Sequence, residues 1–261
     1  MTSSFQNDLA KRLRALHIPG TPLILTNVWD AITASAIASL PSTKALATAS
    51  FAVAAAAGLE DDDLDLETNL RAARSISKVA AKHDLPLTVD FQDGFGAQLA
   101  HGIRQLVRLG AVGINLEDLG REVGGLYPVD QQCDRIRTVM RVAAEEGVPD
   151  FAINARSDAL FAGTGLDDAI SRGKAYLQAG ACNVFIWGGP SRRGWSREEV
   201  SRAVEELGGR LNVSLIRGRS GGLSVKEIGE LRVARISIGP ALMRWGAEQI
   251  AGEAQRVLDG V

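Results

Sequence analysis

Residues 85–96 read LPLTVDFQDGFG, and this stretch decides how the rest of the chain is interpreted. The apolar run 85–89 predicts a buried strand that ends on the carboxylate of Asp90. Gly94 and Gly96 follow, and glycine lets the backbone turn tightly and approach a ligand closely. The stretch therefore indicates a strand whose carboxyl end presents an acid beside a turn.

Two other stretches repeat this arrangement. Residues 113–118 read GINLED, and residues 151–158 read FAINARSD. Each is a short apolar strand that ends in charged side chains. The repetition favours a functional edge over an isolated acidic turn.

The same rhythm runs through the whole chain, as apolar strands that alternate with helices. We predict eight strands, over residues 22–28, 45–50, 85–92, 112–117, 151–154, 183–187, 211–216 and 233–238. This alternation is typical of an α/β (β/α)8 TIM barrel, whose usual length of about 250 residues fits the 261 residues here. A doubly wound sheet would normally carry a glycine-rich fingerprint after its first strand, which TNVWD at 26–30 is not. We therefore predict one barrel domain over 1–261, with an N-terminal and a C-terminal helix.

Composition excludes several classes of protein. Apolar residues make up 46% and charged residues 23% of the chain, as in ordinary globular proteins. The net charge of −2 gives no electrostatic case for a nucleic-acid or anionic-membrane partner. No apolar run reaches the ~18 residues of a membrane span, and the first residues do not resemble a secretory signal. Cys133 and Cys182 do not make a disulfide framework, so we expect a cytoplasmic protein.

Polar side chains at the carboxyl ends of the strands are the candidate functional residues, because that face of a TIM barrel carries the active site. They are Asn27, Trp29, Asp30, Ser50, Asp90, Gln92, Glu117, Asp118, Arg156, Asp158, Trp187, Ser214, Arg217 and Ser237. The set is acidic on strands three and four and cationic on strand five. Two carboxylates near an arginine suit a hard cation such as Mg²⁺ and an anionic substrate. Arg217 could bind an anion beside the glycines at 221–222.

Some common chemistries are disfavoured by where the basic residues fall. Lysine occurs on helices or before strands and not at a predicted strand carboxyl end, which argues against a Schiff-base aldolase. His17 and His83 precede strands, at the opposite face of the barrel, so a histidine-based zinc site is not expected. A phosphate-binding loop of the glycine-lysine-serine type is also missing from the sequence.

Taken together, the motifs resemble those of the isocitrate lyase and phosphoenolpyruvate mutase superfamily. The resemblance rests on TNVWDA at 26–31, ATAS at 47–50, GLED at 58–61, VDFQDGFG at 89–96, GINLED at 113–118, NARSD at 154–158, AISRGKAYLQAG at 169–180 and ARISIGPAL at 234–242. These motifs cover nearly the whole chain in the family's order. They are specific for the superfamily but not for one of its reactions.

The resemblance implies a barrel that binds Mg²⁺ (or Mn²⁺) and a small 2-oxo acid or its enolate. It implies that Asp90 is the main metal-binding aspartate and that Glu117 is a second metal-site carboxylate acting through water. It assigns Asp61 to acid–base or nucleophilic work, Arg156 to gripping the substrate's anionic group, and the backbone near Ser50 to holding its carboxylate. We therefore predict catalytic residues Asp61, Glu117 and Arg156, substrate-binding residues Trp29, Asp30, Ser50, Phe51, Arg156 and Arg217, and metal-site residues Asp90, Gln92 and Glu117.

Two departures from the family pattern narrow the activity. Where the family has a second acid two residues after Asp90, this chain has Gln92, whose amide oxygen could still ligate a metal but brings no charge. The isocitrate and methylisocitrate lyases carry a lysine-cysteine-glycine-histidine loop after strand four, and this chain has GREVGG at 120–125. Without that cysteine acid, neither of those two activities is expected.

The leading hypothesis is a Mg²⁺-dependent carbon–carbon lyase or decarboxylase acting on a small 2-oxo or 2-hydroxy acid through an enolate. The alternatives are phosphorus–carbon cleavage or rearrangement on the same fold, and a non-catalytic barrel that binds an oxo acid; metal titration separates the last from the others. The resemblance also implies a homo-oligomer, most simply a tetramer, with the terminal helix packed on a neighbouring subunit. The apolar residues of that helix agree with this: Leu242, Met243, Trp245 and Ile250.

Overall fold

Parallel strands form the inner wall of the fold. The computed structural model describes residues 3–189, 194–216 and 222–260, and within them the main sheet has eight strands. They are β1 Leu23–Leu25, β2 Leu46–Ala47, β3 Leu87–Asp90, β4 Gly113–Glu117, β5 Ala152–Ser157, β6 Asn183–Ile186, β7 Leu211–Ser214 and β8 Arg235–Ser237.

Arg217 lies outside the described residues, so its predicted contact with substrate stays a prediction.

Helices surround this wall and connect its strands. They are α1 Ser3–Ala15, α2 Ala31–Ala38, α3 Ser50–Ala56, α4 Leu66–Lys82, α5 Leu99–Leu109, α6 Val129–Glu145, α7 Leu166–Gln178, α8 Arg197–Leu207, α9 Val225–Glu230 and α10 Ala241–Leu258. Apolar side chains of helices and strands fill the layer between them, including Ile76, Ile103, Ile136 and Val142. The predicted α/β TIM barrel is confirmed.

The sheet closes on itself between β1 and β2. Its order is β1-β8-β7-β6-β5-β4-β3-β2, and every neighbouring pair is parallel. A parallel bridge between Val28 and Thr48 joins the two ends of this order, and the Val28 N–H donates to the Ala47 carbonyl at 2.8 Å. Closure removes the open edges of the sheet and brings the carboxyl ends of all eight strands to one face.

Asn27 holds this closure at the functional face. Its side-chain amide donates to the Thr48 carbonyl at 2.7 Å, beyond the end of β2. Its amide oxygen accepts from the backbone N–H groups of Ile238 and Gly239, at 3.1 and 3.0 Å, just after β8. One buried side chain therefore ties together the ends of three adjacent strands.

The second strand is shorter than predicted. The predicted strand 45–50 is observed only as Leu46–Ala47, because the chain turns into α3 at Ser50. The alanine-rich residues that follow form part of this helix, since alanine has the highest helix propensity. The glycine-rich loop after β4 also contains regular structure, an antiparallel hairpin in which Leu119 pairs with Leu126 and Gly120 with Gly125.

Helix α10 extends from the barrel without burying a side chain. Trp245 is 59% exposed and Ile250 is 72% exposed. Its start still contacts the functional face, because the Arg244 guanidinium lies over the Phe51 ring at 4.8 Å. In the part of the chain that the structure describes, no helix combines the length and apolar character needed to cross a bilayer.

The Asn27 contacts predict a large loss of stability on truncation. Asn27→Ala leaves the buried Ile238 N–H, the part-buried Gly239 N–H and the Thr48 carbonyl without their partner, which should cost about 2–4 kcal/mol in the free energy of unfolding. Urea denaturation followed by circular dichroism measures this change. Gln131→Ala, which removes an exposed amide on α6, is the control and should change stability little. A cost for Asn27→Ala no larger than that of the control would contradict the role given to Asn27.

Candidate active site

An arginine held between two acids forms the centre of the functional face. The Arg156 Nη1–H donates to Glu117 Oε1 at 2.6 Å, and its Nε and Nη2 groups donate to Asp158 Oδ1 at 2.9 and 2.7 Å. Glu117 ends β4, and Arg156 lies beside it in the register of β5. The Trp187 ring packs on the guanidinium at 4.1 Å from its centroid, a favourable cation–π arrangement.

Burial shapes the protonation of this group. Burial opposes the charge of Arg156, but the carboxylates of Asp158 and Glu117 outweigh that effect and raise its pKa. Burial raises the pKa of Asp158 to about 6, although Arg156 opposes the rise. Burial likewise raises the pKa of Glu117 well above its ordinary value; Arg156 opposes this, whereas Asp158, Asp90 and Asp61 add to it. The acids around Arg156 therefore outnumber it, and Asp158, Asp90 and Asp61 each raise the pKa of Glu117.

Asp90, at the carboxyl end of β3, is oriented by two neutral donors. Its Oδ2 accepts from the Ser50 backbone N–H at 2.9 Å, and its Oδ1 accepts from the Asn115 side chain at 3.2 Å. Each carboxylate oxygen can accept more than one bond, so both keep capacity for a further ligand. The structure thus brings predicted residues Ser50, Asp90, Glu117 and Arg156 to one place.

Asn115, a residue that supports Asp90 in the structure, is not among the residues predicted from the sequence. Its amide oxygen accepts from Asn154 at 2.9 Å and from the buried Arg235 at 3.1 Å, which orients its NH₂ group toward Asp90. Arg235 comes from β8, across the barrel, so these contacts run through the barrel interior. The feature of the sequence that could indicate this role is an amide residue within an apolar strand, two positions before Glu117.

Asp61 approaches the site from the segment that follows α3. Burial raises its pKa, and Asp90 adds to the rise, while a bond from the Ser50 hydroxyl and the charge of Arg156 oppose it. This is the direction that a group acting as a general acid requires. Asp62 and Asp63, next to it, are exposed to solvent.

Gln92 lies beside Asp61, with both ends of its amide engaged by protein groups. Its NH₂ group donates to the Asp61 carbonyl at 2.9 Å and to Asp61 Oδ1 at 3.0 Å. Its oxygen accepts from Arg121 Nη2 at 2.7 Å. The predicted metal-site residue is therefore in the site, but its oxygen faces an arginine.

Trp29, Asp30 and Phe51 make structural contacts at the edge of the same face. The Asp30 carboxylate caps α2 by accepting from the Thr33 N–H at 2.7 Å. Trp29 packs against a small apolar cluster that includes Val53. The predicted substrate contacts of these residues stay predictions.

The buried acid Asp118 supports the group formed by Arg156 and its two acids. Asp118 Oδ1 accepts from the Asp158 N–H at 2.7 Å, and its Oδ2 accepts from the Tyr176 hydroxyl at 2.6 Å. The second oxygen of Asp158, by contrast, is buried and has no hydrogen-bond partner among the described residues. Asp118 therefore fixes the backbone at Asp158, whose side chain orients Arg156.

The donor set fits a hard divalent cation. Asp90 and Glu117 offer carboxylate oxygens, and Mg²⁺ is commonly held by one or two carboxylates plus water and substrate oxygens. The several acids grouped around one arginine and the unpartnered Asp158 oxygen also favour a cation nearby. Among the described residues, no three or more His, Cys, Asp or Glu side chains form a ready metal cage, so water and substrate would complete the coordination.

Comparison with known proteins gives the family context for this geometry. A family profile described as phosphoenolpyruvate phosphomutase matches residues 13–258. The chain is 36% identical to the 2-methylisocitrate lyase of Escherichia coli K12 over 141 residues, 50% of this chain and 46% of that lyase. The chain thus spans less than half the length of that relative.

Solved structures of other proteins are similar to this chain over nearly its full length. A protein of Burkholderia cenocepacia J2315 provisionally named a phosphonomutase is 32% identical, with a TM-score of 0.85 over 98% of this chain and 100% of that chain. A phosphonopyruvate hydrolase solved with oxalate and Mg²⁺ has a TM-score of 0.81 over 97% of this chain and 88% of that chain; at 23% identity it shows the shared fold alone. With the profile covering most of the chain, the protein belongs to the phosphoenolpyruvate phosphomutase family of the isocitrate lyase and phosphoenolpyruvate mutase superfamily.

Proposed function

We propose that the protein is a Mg²⁺-dependent lyase or decarboxylase that breaks a carbon–carbon bond in a small 2-oxo or 2-hydroxy acid. The observation that carries the proposal is the placement of Asp90 and Glu117 beside Arg156 at the carboxyl ends of adjacent strands. Carboxylates of this kind bind a cation, and an arginine beside them binds an anion. Together they suit a substrate that carries both a metal-chelating oxo acid and a second negative group.

The metal would be held by Asp90 directly and by Glu117 directly or through water. When bound, Mg²⁺ would polarise the substrate's oxo group and stabilise the negative charge of an enolate. Asn115 and the Ser50 N–H keep the Asp90 carboxylate oriented by bonds of 3.2 and 2.9 Å. This preorganisation spares the site from reordering during the reaction.

Arg156 would bind the distal anionic group of the substrate. Three of its N–H groups are committed to Glu117 and Asp158, and the guanidinium keeps others for a ligand. Because Asp158 and Trp187 fix its plane, the remaining donors point in a defined direction. A substrate without a second anion should therefore be bound weakly.

Asp61 would move the proton at the carbon released by bond cleavage. It is the acid with a raised pKa on a segment outside the barrel wall, and the hairpin at 119–126 offers no cysteine for this task. Asp61 would donate its proton to the carbanion carbon of the enolate and take it back from solvent or substrate in the next cycle.

Phosphorus–carbon cleavage or rearrangement is the second candidate. It is favoured by the 32% identity to the Burkholderia protein provisionally named a phosphonomutase. The same carboxylates and arginine would serve a phosphonate as well as a carboxylate. A panel of oxaloacetate, 2-methylisocitrate and phosphonopyruvate, assayed with Mg²⁺ for carbon–carbon cleavage products, for phosphate release and for phosphoenolpyruvate formation, separates the two reactions. No turnover together with no Mg²⁺ binding would favour a non-catalytic oxo-acid-binding barrel.

The metal assignment predicts the effect of removing Asp90. Asp90→Ala should abolish detectable Mg²⁺ or Mn²⁺ binding in isothermal titration, because the charged ligand that orients the ion is lost. Glu117→Gln should weaken binding and not abolish it. Asp130→Ala, which removes an exposed acid on α6, is the control. Unchanged Mg²⁺ affinity in Asp90→Ala would sink the assignment.

The role of Asp61 predicts a loss of turnover without a loss of metal. Asp61→Asn keeps the size of the side chain but removes its proton, and should lower kcat about 100-fold or more on the substrate that the panel identifies. Mg²⁺ binding should stay nearly as in the parent. Asp62→Asn changes the adjacent exposed acid and should leave kcat unchanged. If both variants turned over at the parent rate, Glu117 or a water molecule would be the better candidate for proton transfer.

We also propose that the protein is a homo-oligomer, most simply a tetramer, in which α10 packs on a neighbouring copy. Four exposed apolar side chains of α10 support this: Trp245, Ile250, Val257 and Leu258. An exposed apolar surface of this kind is typical of an interaction site.

This proposal predicts a mass several times that of the 27.7 kDa chain in multi-angle light scattering at micromolar concentration. Trp245→Glu with Ile250→Glu should shift the mass downward, because charges would be buried at the interface. Lys226→Glu, at an exposed position of α9, is the matched charge control. A monomeric mass for the unmodified protein would refute the proposal.

A further inference from the structure

The hairpin at 119–126 is fastened to the Asp61 segment by one arginine. Arg121 Nη1 donates to the Leu64 carbonyl at 3.0 Å, and its Nη2 donates to the Asp61 carbonyl at 2.8 Å and to the Gln92 oxygen at 2.7 Å. All three acceptors are neutral. The Arg121 backbone N–H also donates to Asp93 Oδ2 at 3.1 Å, so the base of the hairpin is held as well.

Gln92 is the group that both segments share. It accepts from Arg121 on one side and donates to the carbonyl and carboxylate of Asp61 on the other. The side chain is buried, with only 4% of the residue exposed. Its contacts therefore set where the Asp61 carboxylate lies.

A carboxylate at position 92 could not make both sets of contacts. It could accept from Arg121, but it has no N–H group to donate to Asp61, and its charge would repel the neighbouring acid. The backbone of Gln92 has φ +45, in the left-handed region that non-glycine residues seldom adopt, so the side chain is held where tertiary contacts require it. An amide at this position thus matches an arginine on the hairpin and an acid on the other segment.

We propose that Gln92 is a positioning residue whose amide holds Asp61 in the site and latches it, through Arg121, to the hairpin at 119–126. This inference rests on the proposed acid–base role of Asp61. It gives position 92 a role different from metal ligation, and it makes Arg121 the partner that fixes the amide's orientation.

Limited tryptic cleavage after Arg121 tests the hairpin side of the latch. Gln92→Ala should raise the rate of that cleavage about tenfold, measured by mass spectrometry against cleavage after Arg256 on exposed α10, because the hairpin must open for the protease. Gln98→Ala removes an exposed amide from the neighbouring turn and should leave the rate unchanged. Gln92→Asn suits the left-handed backbone, but its side chain is one methylene too short, so it should behave like Gln92→Ala. It replaces Gln92→Ala in this test if that variant does not fold.

Hydrogen exchange tests the Asp61 side separately. The amides of Asp63 and Leu64 bond to the carbonyls of Glu60 and Asp61, and their exchange reports whether this segment is held. Gln92→Ala and Arg121→Met should each speed this exchange, and the double variant should add little to either, because one linked set of contacts is broken.

Gln92→Glu separates positioning from simple structural support. At pH 8 the glutamate should keep its contact with Arg121, so cleavage after Arg121 stays within about twofold of the parent. Exchange at Asp63 and Leu64 should nevertheless rise about tenfold, because the glutamate cannot donate to Asp61 and repels it. Equal behaviour of Gln92→Glu and Gln92→Ala in both readouts would overturn the proposal.

Metal affinity separates this inference from the proposed function. Gln92→Ala should bind Mg²⁺ within about twofold of the parent, and a loss of affinity would return Gln92 to the metal site and overturn the latch. The cleavage and exchange readouts need neither metal nor substrate. A protein that failed to bind Mg²⁺ at all would therefore count against the proposed function while leaving the latch to be decided by those two measurements.

Discussion

The pairing of Arg156 with Glu117 and Asp158 is the constraint on which the functional face depends. Three ionisable groups are buried together there, and burial alone would push both acids toward their protonated forms. Arg156 opposes that shift. Its planar guanidinium donates to Glu117 and Asp158 in fixed directions, which a lysine ammonium could not reproduce. Because adjacent strands supply Glu117 and Arg156, the register of the barrel sets the distance between them.

The interior of the barrel extends the same logic away from the surface. Arg235 is 2% exposed, and burial lowers its pKa to about 10. Its contact with Asn115 connects a buried cation to the carboxylate of Asp90 through a single amide. The polar interior therefore serves the site as much as the fold, because each member fixes the orientation of the next.

Much of the fold could be predicted because a strand that ends in charge is a local pattern. The stretches around Asp90, Glu117 and Arg156 each show it, and their order along the chain is enough to place them on one face. The start of α3 at Ser50 was not predicted, since a short alanine-rich helix and a loop look alike without their tertiary contacts. The ends of other strands differ from the predicted ends by a few residues, because they too depend on tertiary contacts.

The candidate site was predictable by residue type but not by contact. The positions of Asp61 and Gln92 in motifs predict that both belong to the site, but the bonds between them depend on how two separate segments meet. Arg121 gave no signal, because it lies in a loop whose hairpin shape emerges only from pairing across Gly120 and Gly125. Arg235 likewise looked like an ordinary strand residue, and only barrel closure brings it opposite Asn115.

The lack of a cysteine in the hairpin also bears on how readily oxidants would react with the site. Cys133 lies buried on α6, and burial raises the pKa of both its thiol and that of Cys182. A thiol kept protonated is a poor target for peroxide and for disulfide exchange, since the thiolate is the reactive form. In the proposed mechanism, carboxylates would move the protons, and amides and a guanidinium would hold the loops, so no sulfur would take part. The chemistry of the site would then be uncoupled from the redox state of its surroundings.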